Sequence, residues 1–246
     1  FSEKFYRGEI MKKIMIDMGH GGKDVGATGN GLVEKELNLV VGLELKRILD
    51  NYDAIVEVTR TGDVYLSPDE RVRLVNNFNP DLSVSIHHNA AENPSARGAE
   101  VIHAHYDEYD DKLALDILSK LAGIGMPSRR AFTKLNDKKE DWYYMIRRIW
   151  DNDTDAIIVE GGFLTNAEDA KLLKSQDYLH KEAKAIADAI IGYLNLQPVS
   201  NIPAWQTEAF EKLIKKGIIS TPEYWATRLG EKVTVGEMFG VLAKML

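Results

Sequence analysis

The stretch Ile14-Met15-Ile16-Asp17-Met18-Gly19-His20-Gly21-Gly22 decides how the rest of the chain is read. Ile14, Met15 and Ile16 run together without a polar break, the pattern of a strand covered on both faces. The glycines that follow let the backbone turn sharply and approach a neighbour closely. His20 then stands at the carboxyl end of a buried strand, where open α/β sheets place ligands. Alone, such a histidine is as readily structural as functional. Two later segments, Val33-Glu34-Lys35 and Ser85-Ile86-His87-His88-Asn89, add weight to the functional reading.

The 246 residues suffice for one sizeable domain with a small appendage, and 44% hydrophobic with 28% charged residues is ordinary for a globular chain. No apolar run is long enough for a membrane span. No cationic segment followed by an apolar run marks a signal peptide. Met11-Lys12-Lys13 resembles a natural start, which leaves the ten residues before it as an added or a native extension. The chain has no cysteine, so disulfides, thiolate metal sites and a cysteine nucleophile are excluded, and any zinc must be held by His, Asp or Glu. A net charge of −7 argues against nucleic acid as a partner and against an anionic membrane surface.

Nucleotide loops fail on inspection. Gly19-x-Gly21 needs a glycine at Asp24 to complete GxGxxG, and Gly22-Lys23 lacks the Ser or Thr of a Walker loop. Glu34 to Asp50 reads as a helix with a broad apolar face of Leu37, Val40, Val41, Leu43, Leu45 and Ile48. Glu34 in its first turn either serves the helix dipole or is a metal ligand fixed on a rigid element. Ala54 to Thr59 is a second strand. Ser67-Pro68-Asp69-Glu70 opens a helix to about Asn77 with a capping box and a proline at its first position. Asp81 to His87 alternates apolar and small residues and ends, like the first strand, in histidine. Gly98 to Tyr106 is a strand on which His103 and His105 share a face; the preferred reading is an ordinary half-exposed pair, not a chelate. Glu108 to Leu121 is an amphipathic helix, and polar Gly123 to Asp141 reads as a surface loop. Trp142-Tyr143-Tyr144-Met145-Ile146 is either packing or one wall of a groove. Asp155 to Phe163 is a buried strand bearing Glu160, a carboxylate that is costly there unless paired or employed. Asn166 caps a short helix, and Tyr178 to Leu194 forms a long one.

Two histidines and a helix-borne glutamate make the His₂Glu set of a catalytic zinc, with a position left for water. A further free glutamate supplies the proton carrier that hydrolysis needs. These residue types suffice for metal-assisted amide hydrolysis. In Asp17-Met18-Gly19-His20-Gly21-Gly22, Asp24, Gly26-Ala27, Glu34-Lys35, Asn38-Leu39, Thr59-Arg60, Asp63, Arg71, Asp81 to Ala90, Gly98-Ala99-Glu100 and Val159 to Asn166, the chain resembles the zinc-dependent N-acetylmuramoyl-L-alanine amidases of the amidase-3 type, found among bacterial autolysins and phage endolysins. The stretches come in the family's order over about residues 12 to 195. The resemblance implies an α/β fold with a central, mostly parallel sheet flanked by helices. It implies one Zn²⁺ per catalytic domain, bound by His20, Glu34 and His87, with Glu160 catalytic. It also implies peptidoglycan as partner and action on the cell wall, by secretion or by release from a host cytoplasm. Asn89, Trp142 and Tyr143 are expected to hold the peptide. Two positions depart from the pattern: Met18 replaces the usual proline, and His88 replaces a small residue, which sets a rival ligand beside His87. The other readings are a non-catalytic peptidoglycan-binding module and a zinc hydrolase of another peptide amide.

Residues 196–203, with Pro198 and Pro203, read as a linker. Residues 204–246 read as a small helical module, with a helix from Trp205 to Lys216 and another opened by Thr234-Val235-Gly236-Glu237. A piece this small is marginal alone, so it is expected to bind the cell wall, pack on the main domain or form a homodimer.

Overall fold

The computed structural model describes residues 5–6, 9–105, 108–150, 154–199, 212–213 and 215–216. The chain divides into two compact units, Phe1–Gln197 and Pro198–Leu246. In the first unit the elements run β1 (Phe5–Tyr6), β2 (Glu9–Ile10), β3 (Lys12–Met18), β4 (Thr28–Gly29), β5 (Leu32–Val33), α1 (Glu34–Leu49), β6 (Ala54–Val58), α2 (Pro68–Phe78) and β7 (Leu82–Asn89). They continue with β8 (Ala99–His103), α3 (Glu108–Gly123), β9 (Ser128–Phe132), α4 (Tyr144–Trp150), β10 (Asp155–Phe163), α5 (Ala167–Leu173) and α6 (Gln176–Leu194).

Six strands form one sheet in the order β6-β3-β7-β10-β8-β9. β6, β3, β7 and β10 are parallel neighbours; β8 runs antiparallel to β10, and β9 follows β8 in parallel. The architecture is thus the α/β sheet, mostly parallel and flanked by helices, that the sequence implies. From β3 the chain passes through α1 to β6 on one side, and then through α2 to β7 on the other. The carboxyl end of β3 is therefore a topological switch point, where the crevice for a ligand opens.

Strand parity sorts the side chains. Ile14, Ile16 and Met18 of β3, Leu82, Val84 and Ile86 of β7, and Ile157 and Val159 of β10 join the large core under α1, α3 and α6. Met15 and Ala156 face the other way and pack on Val72 and Val75 of α2 and Met145 and Ile149 of α4. Further along that second face, Asp17 lies opposite Ser85, and Glu160 lies opposite both His87 and Glu100. Alternation of apolar and small residues in β7 thus builds a dry face and a polar one.

The segment Gly123 to Asp141, read as a surface loop, contains the strand β9. Ser128-Arg129-Arg130-Ala131-Phe132 lacks an alternating apolar pattern because it is an edge strand, with solvent on one side. The strand read over Gly98 to Tyr106 ends at His103. His105 lies beyond it, its backbone N–H donating to Asp141 Oδ1, whereas His103 Nδ1 faces the Ala104 carbonyl. His105 thus lies outside the strand that carries His103. The capping box at Ser67 and Glu70 is present in full. Leu196, read as the start of a linker, is buried in the core, and Gln197 exchanges hydrogen bonds with Asp53. In the second unit Lys216 donates its backbone N–H to the Lys212 carbonyl, a helical turn. The rest of the Trp205–Lys216 helix and the Thr234–Glu237 capping box lie outside the described residues.

α1 sits close on β3 because Gly42 faces Met18, and a Cβ at Gly42 would overlap the fully buried Met18 side chain. Alanine gains about 1 kcal/mol of helix propensity over glycine, but overpacking costs about 1–3 kcal/mol. Gly42→Ala is expected to lower stability by about 1 kcal/mol in denaturant titration. A stabilised variant would mean that Met18 repacks without strain.

Candidate metal centre

Three loops and strand ends converge at the switch point. His20 follows β3 with φ of 61°, a left-handed conformation that histidine tolerates better than most residues. Glu34 opens α1, but its carboxylate turns inward from the helix end and is 4% exposed. His87 lies near the end of β7. Glu34 Oε1 is 3.2 Å from His20 Nε2 and 2.9 Å from His87 Nδ1. The three donor atoms all lie within 4.8 Å of one another. Glu34 Oε2 accepts the Ala27 N–H at 2.7 Å, which leaves Oε1 for the centre. Two glycines clear the space. A Cβ on Gly19 would overlap the His87 ring, and one on Gly26 would meet Glu34 Oε2 and the His20 ring.

Two buried arginines hold the backbone that carries His20. Arg60 donates to the carbonyls of Met18, Gly19, Gly62 and Lys35. Arg71 donates to the carbonyls of Met18 and His20 and pairs with Asp17 at 2.6 Å. Asp17 also accepts from Thr59 Oγ1 and Ser85 Oγ. On the far side of the His20 ring, Nδ1 lies 3.0 Å from Asp24 Oδ1, the outer carboxylate that commonly orients a ligating imidazole.

The centre is strongly polarised. Burial works against the charged form of Glu34, but hydrogen bonds from His20 and His87 prevail and hold its carboxyl well below the usual range. Burial lowers His87, yet its bond to Glu34 and the charges of Glu160, Glu34 and Asp17 carry it up to about 9. His20 is raised in the same way, its desolvation outweighed by Glu34 and Asp24. Glu160 differs from all three. Its Oε2 is sealed from solvent and meets no hydrogen-bond partner among the described residues. Burial first, then Glu34, raises Glu160 to about 7 against the pull of His87.

Two imidazoles and a carboxylate within a few ångströms, with an outer carboxylate behind one imidazole, match the donor chemistry of a His₂Glu zinc site. The carboxylates of Glu34 and Glu160 favour positive charge at His87, the charge that a bound cation would bring to the same place.

The remaining expected residues fall in different places. His88 points away from the centre, into the core face: Nδ1 meets Asn38 Oδ1 at 2.8 Å, and Nε2 lies 3.2 Å from Glu182 Oε1, with both His88 and Glu182 side chains fully buried. It is no rival to His87. Its parity, shared with Leu82, Val84 and Ile86, is the sequence signal that places it there. Asn89 spends its side chain on Glu100 Oε2 and the Ala90 N–H. Trp142 is 52% exposed, and its ring lies beside Lys134 Nζ. Tyr143 packs on Ile102, Ala104, Ile146 and Ile158. Burial, then Glu160 and Glu100, push its phenol up while Arg130 pulls it back. Sequence reading assigned no role to Asp24, Arg60, Arg71 or Glu100; ionic residues bounding apolar strands were the available signal.

A sheet of this topology, gathering this donor set and an unpaired glutamate at its carboxyl edge, defines an enzyme of the hydrolytic class. The chain belongs to the N-acetylmuramoyl-L-alanine amidase family, whose pattern it matches over residues 14–192. It is 36% identical over 187 residues to the N-acetylmuramoyl-L-alanine amidase LytC of Bacillus subtilis, covering 75% of this chain and 36% of LytC. It is 30% identical over 199 residues to the endolysin of Bacillus phage SPP1, covering 78% of this chain and 69% of that one. The catalytic domain of CwlV, an N-acetylmuramoyl-L-alanine amidase from Bacillus (Paenibacillus) polymyxa, superposes with a TM-score of 0.66 at 29% identity. That match covers 76% of this chain and all of the CwlV domain. The chain thus spans about a third of LytC and the whole of a relative's catalytic domain.

Gly19→Ala is expected to displace the His87 ring and to weaken zinc binding at least about tenfold in a chelator competition titration. Unchanged affinity would show that the ring has room to shift. The metal-free protein should also depend on pH in a defined direction. His87 is raised from 6.5 to about 9, so its contribution is complete below about pH 6.5 and is lost as pH rises through about 9. Glu160 is raised from 4.5 to about 7 and acts with the same sign over a lower window. Glu34 acts oppositely, but only in acid. The metal-free protein should therefore melt at a lower temperature at about pH 9 than at about pH 6, and zinc should remove most of the difference. A metal-free Tm that rises across this interval would contradict the assignment.

Proposed function

We propose that this protein hydrolyses the amide between the lactyl group of N-acetylmuramic acid and the L-alanine of the stem peptide, cutting the cell wall as a zinc enzyme. His20, Glu34 and His87 would hold the metal, and bound zinc would polarise the carbonyl and make water acidic enough to attack near neutral pH. The reading is carried by Glu160, an unpaired, desolvated carboxylate one strand from His87 on the same face. A carboxylate raised to about 7 accepts a proton readily and gives it up again near neutral pH. Glu160 takes a proton from the attacking water as the water oxygen bonds to the carbonyl carbon. It returns a proton to the alanine nitrogen as the C–N bond breaks. The products are a lactyl carboxylate and a free alanine amine.

On the face that carries this chemistry, Val72, Val75, Met145 and Ile149 pack over Met15 and Ala156, and Asp17, His87 and Glu160 lie further along the strands. An extended substrate has its approach there. Family membership and the likeness to amidases named for N-acetylmuramoyl-L-alanine support this substrate over an unrelated peptide. Intact proton-carrying geometry supports an enzyme over a passive wall-binding module.

Glu160→Gln keeps the shape and removes the base. It is expected to retain one equivalent of zinc while release of alanine amino termini from purified peptidoglycan falls by about 10² to 10⁴. Loss of zinc would make Glu160 a ligand. Near-wild-type turnover would remove it from the chemistry.

A further inference from the structure

β8 and β9 fall out of register next to the centre. Ala99 pairs with Ser128 but Glu100 pairs with Arg130, so Arg129 is an extra residue in the edge strand. A bulge of this kind re-aims side chains, and here it turns two successive arginines toward one carboxylate. Arg129 Nε and Arg130 Nε donate to the same Glu100 oxygen, Oε1, at 2.7 and 2.8 Å. Asn89 Nδ2 donates to the other, Oε2, at 3.0 Å. Glu100 is buried and now has both oxygens engaged.

This arrangement leaves each guanidinium half used. An arginine facing a carboxylate ordinarily offers two parallel N–H groups to its two oxygens. Here both arginines are bound through Nε alone, and their Nη groups engage no hydrogen-bond acceptor among the described residues. The side chains remain 41% and 54% exposed. Their planes are nevertheless held, Arg129 over the Phe163 ring at 5.3 Å and Arg130 over the Phe132 ring at 4.0 Å. Two oriented cations share one buried anion, which leaves a net positive, fork-shaped surface. It is built for a second carboxylate.

Its place relative to Glu160 identifies whose carboxylate. Glu160 pairs across the strands with Glu100, and Glu100 pairs with Arg130. With strands about 4.8 Å apart, the Arg130 backbone lies about 10 Å from that of Glu160. Both side chains share the sheet face that holds His87. Tyr143, which responds to the charges of Glu160, Glu100 and Arg130 together, borders the same space. A peptide held extended advances about 3.5 Å per residue. For a peptide that runs across the strands from Glu160 toward β9, a group one residue beyond the alanine falls between Glu160 and the arginine forks.

Resting on the amidase reading above, the geometry points to Arg129 and Arg130 as a subsite for a free carboxylate on the second residue of the stem peptide. In a stem whose second residue is a glutamate joined through its side-chain carboxyl, the α-carboxylate is free and projects from the chain at that point. Amidation of this carboxylate removes the charge and replaces one acceptor with a donor, which faces guanidinium N–H groups unfavourably. The enzyme therefore discriminates between free-acid and amidated walls at a position outside the scissile bond.

The test uses the full zinc-loaded chain and three soluble substrates built on N-acetylmuramoyl-L-Ala-γ-D-Glu-L-Lys. The first has a free second-residue carboxylate and an amidated C-terminus. The second has both carboxylates amidated. The third is amidated at the second residue with a free C-terminus. The wild type is expected to favour the first over the other two by at least about tenfold in kcat/KM. In the Arg129→Gln, Arg130→Gln double variant the ratio should fall to near one with zinc stoichiometry unchanged. Equal rates on the first two substrates overturn the subsite, as does a preference for the third. A double variant that keeps the preference does the same. Cleavage of none of the three overturns the amidase reading itself and this inference with it. The wild-type comparison decides the matter if the double variant fails to fold.

Discussion

The two buried arginines, Arg60 and Arg71, impose the constraint on which the centre depends. The chain leaves β3 through glycines and a left-handed histidine, a path with few hydrogen bonds of its own. Arg60 and Arg71 supply them from outside, donating to carbonyls from Met18 to His20. A guanidinium buried for this purpose needs a counter-charge, and Asp17 provides one for Arg71 at 2.6 Å. Removing one member of such a pair strands the other in the interior, at a cost of about 3–5 kcal/mol. Stability and the placement of His20 are therefore the same interaction here. Neither can be relaxed without the other.

The second determinant is parity. β7 puts Leu82, Val84, Ile86 and His88 on one face and Ser83, Ser85, His87 and Asn89 on the other. Two adjacent histidines consequently live in different media. His87 meets Glu34 and the charge of Glu160, whereas His88 is enclosed between Asn38 and Glu182. Asn38 also donates to the Gly19 carbonyl, so the core side of the sheet supports the same turn that the arginines clamp. A slip of one residue would exchange the two rings and dismantle both environments.

Much of this was legible in the residues because local chemistry and global fold agree. Apolar runs ending at His20, His87 and Glu160 marked three strand ends, and Ser67 to Glu70 announced a helix start that the structure reproduces. Glu34 was readable as a carboxylate in a first turn; that it turns inward to Ala27 and the histidines depends on a loop whose path no local pattern specifies. β9 was not legible. Ser128 to Phe132 owes its extended form to pairing with β8 and to a bulge around Glu100, so tertiary context overrides a sequence that looks like loop. Trp142 was legible as an aromatic residue, and its exposed ring lies beside Lys134.

The strand order also sets when, during synthesis, the protein becomes competent. β7 and β8 are close in sequence yet are not neighbours; β10, made some fifty residues later, lies between them. The ribosome releases His20, Glu34 and His87 early, but the segment carrying Glu160 must be threaded in before β7 and β8 are joined into one sheet. Non-local pairing of this kind is slow to form and leaves strand edges open until it does. A nascent chain therefore holds His20, Glu34 and His87 for an interval without Glu160, to which the proposed function gives the proton transfer. On the proposed function, hydrolytic capacity arrives in a single step, with the closing strand.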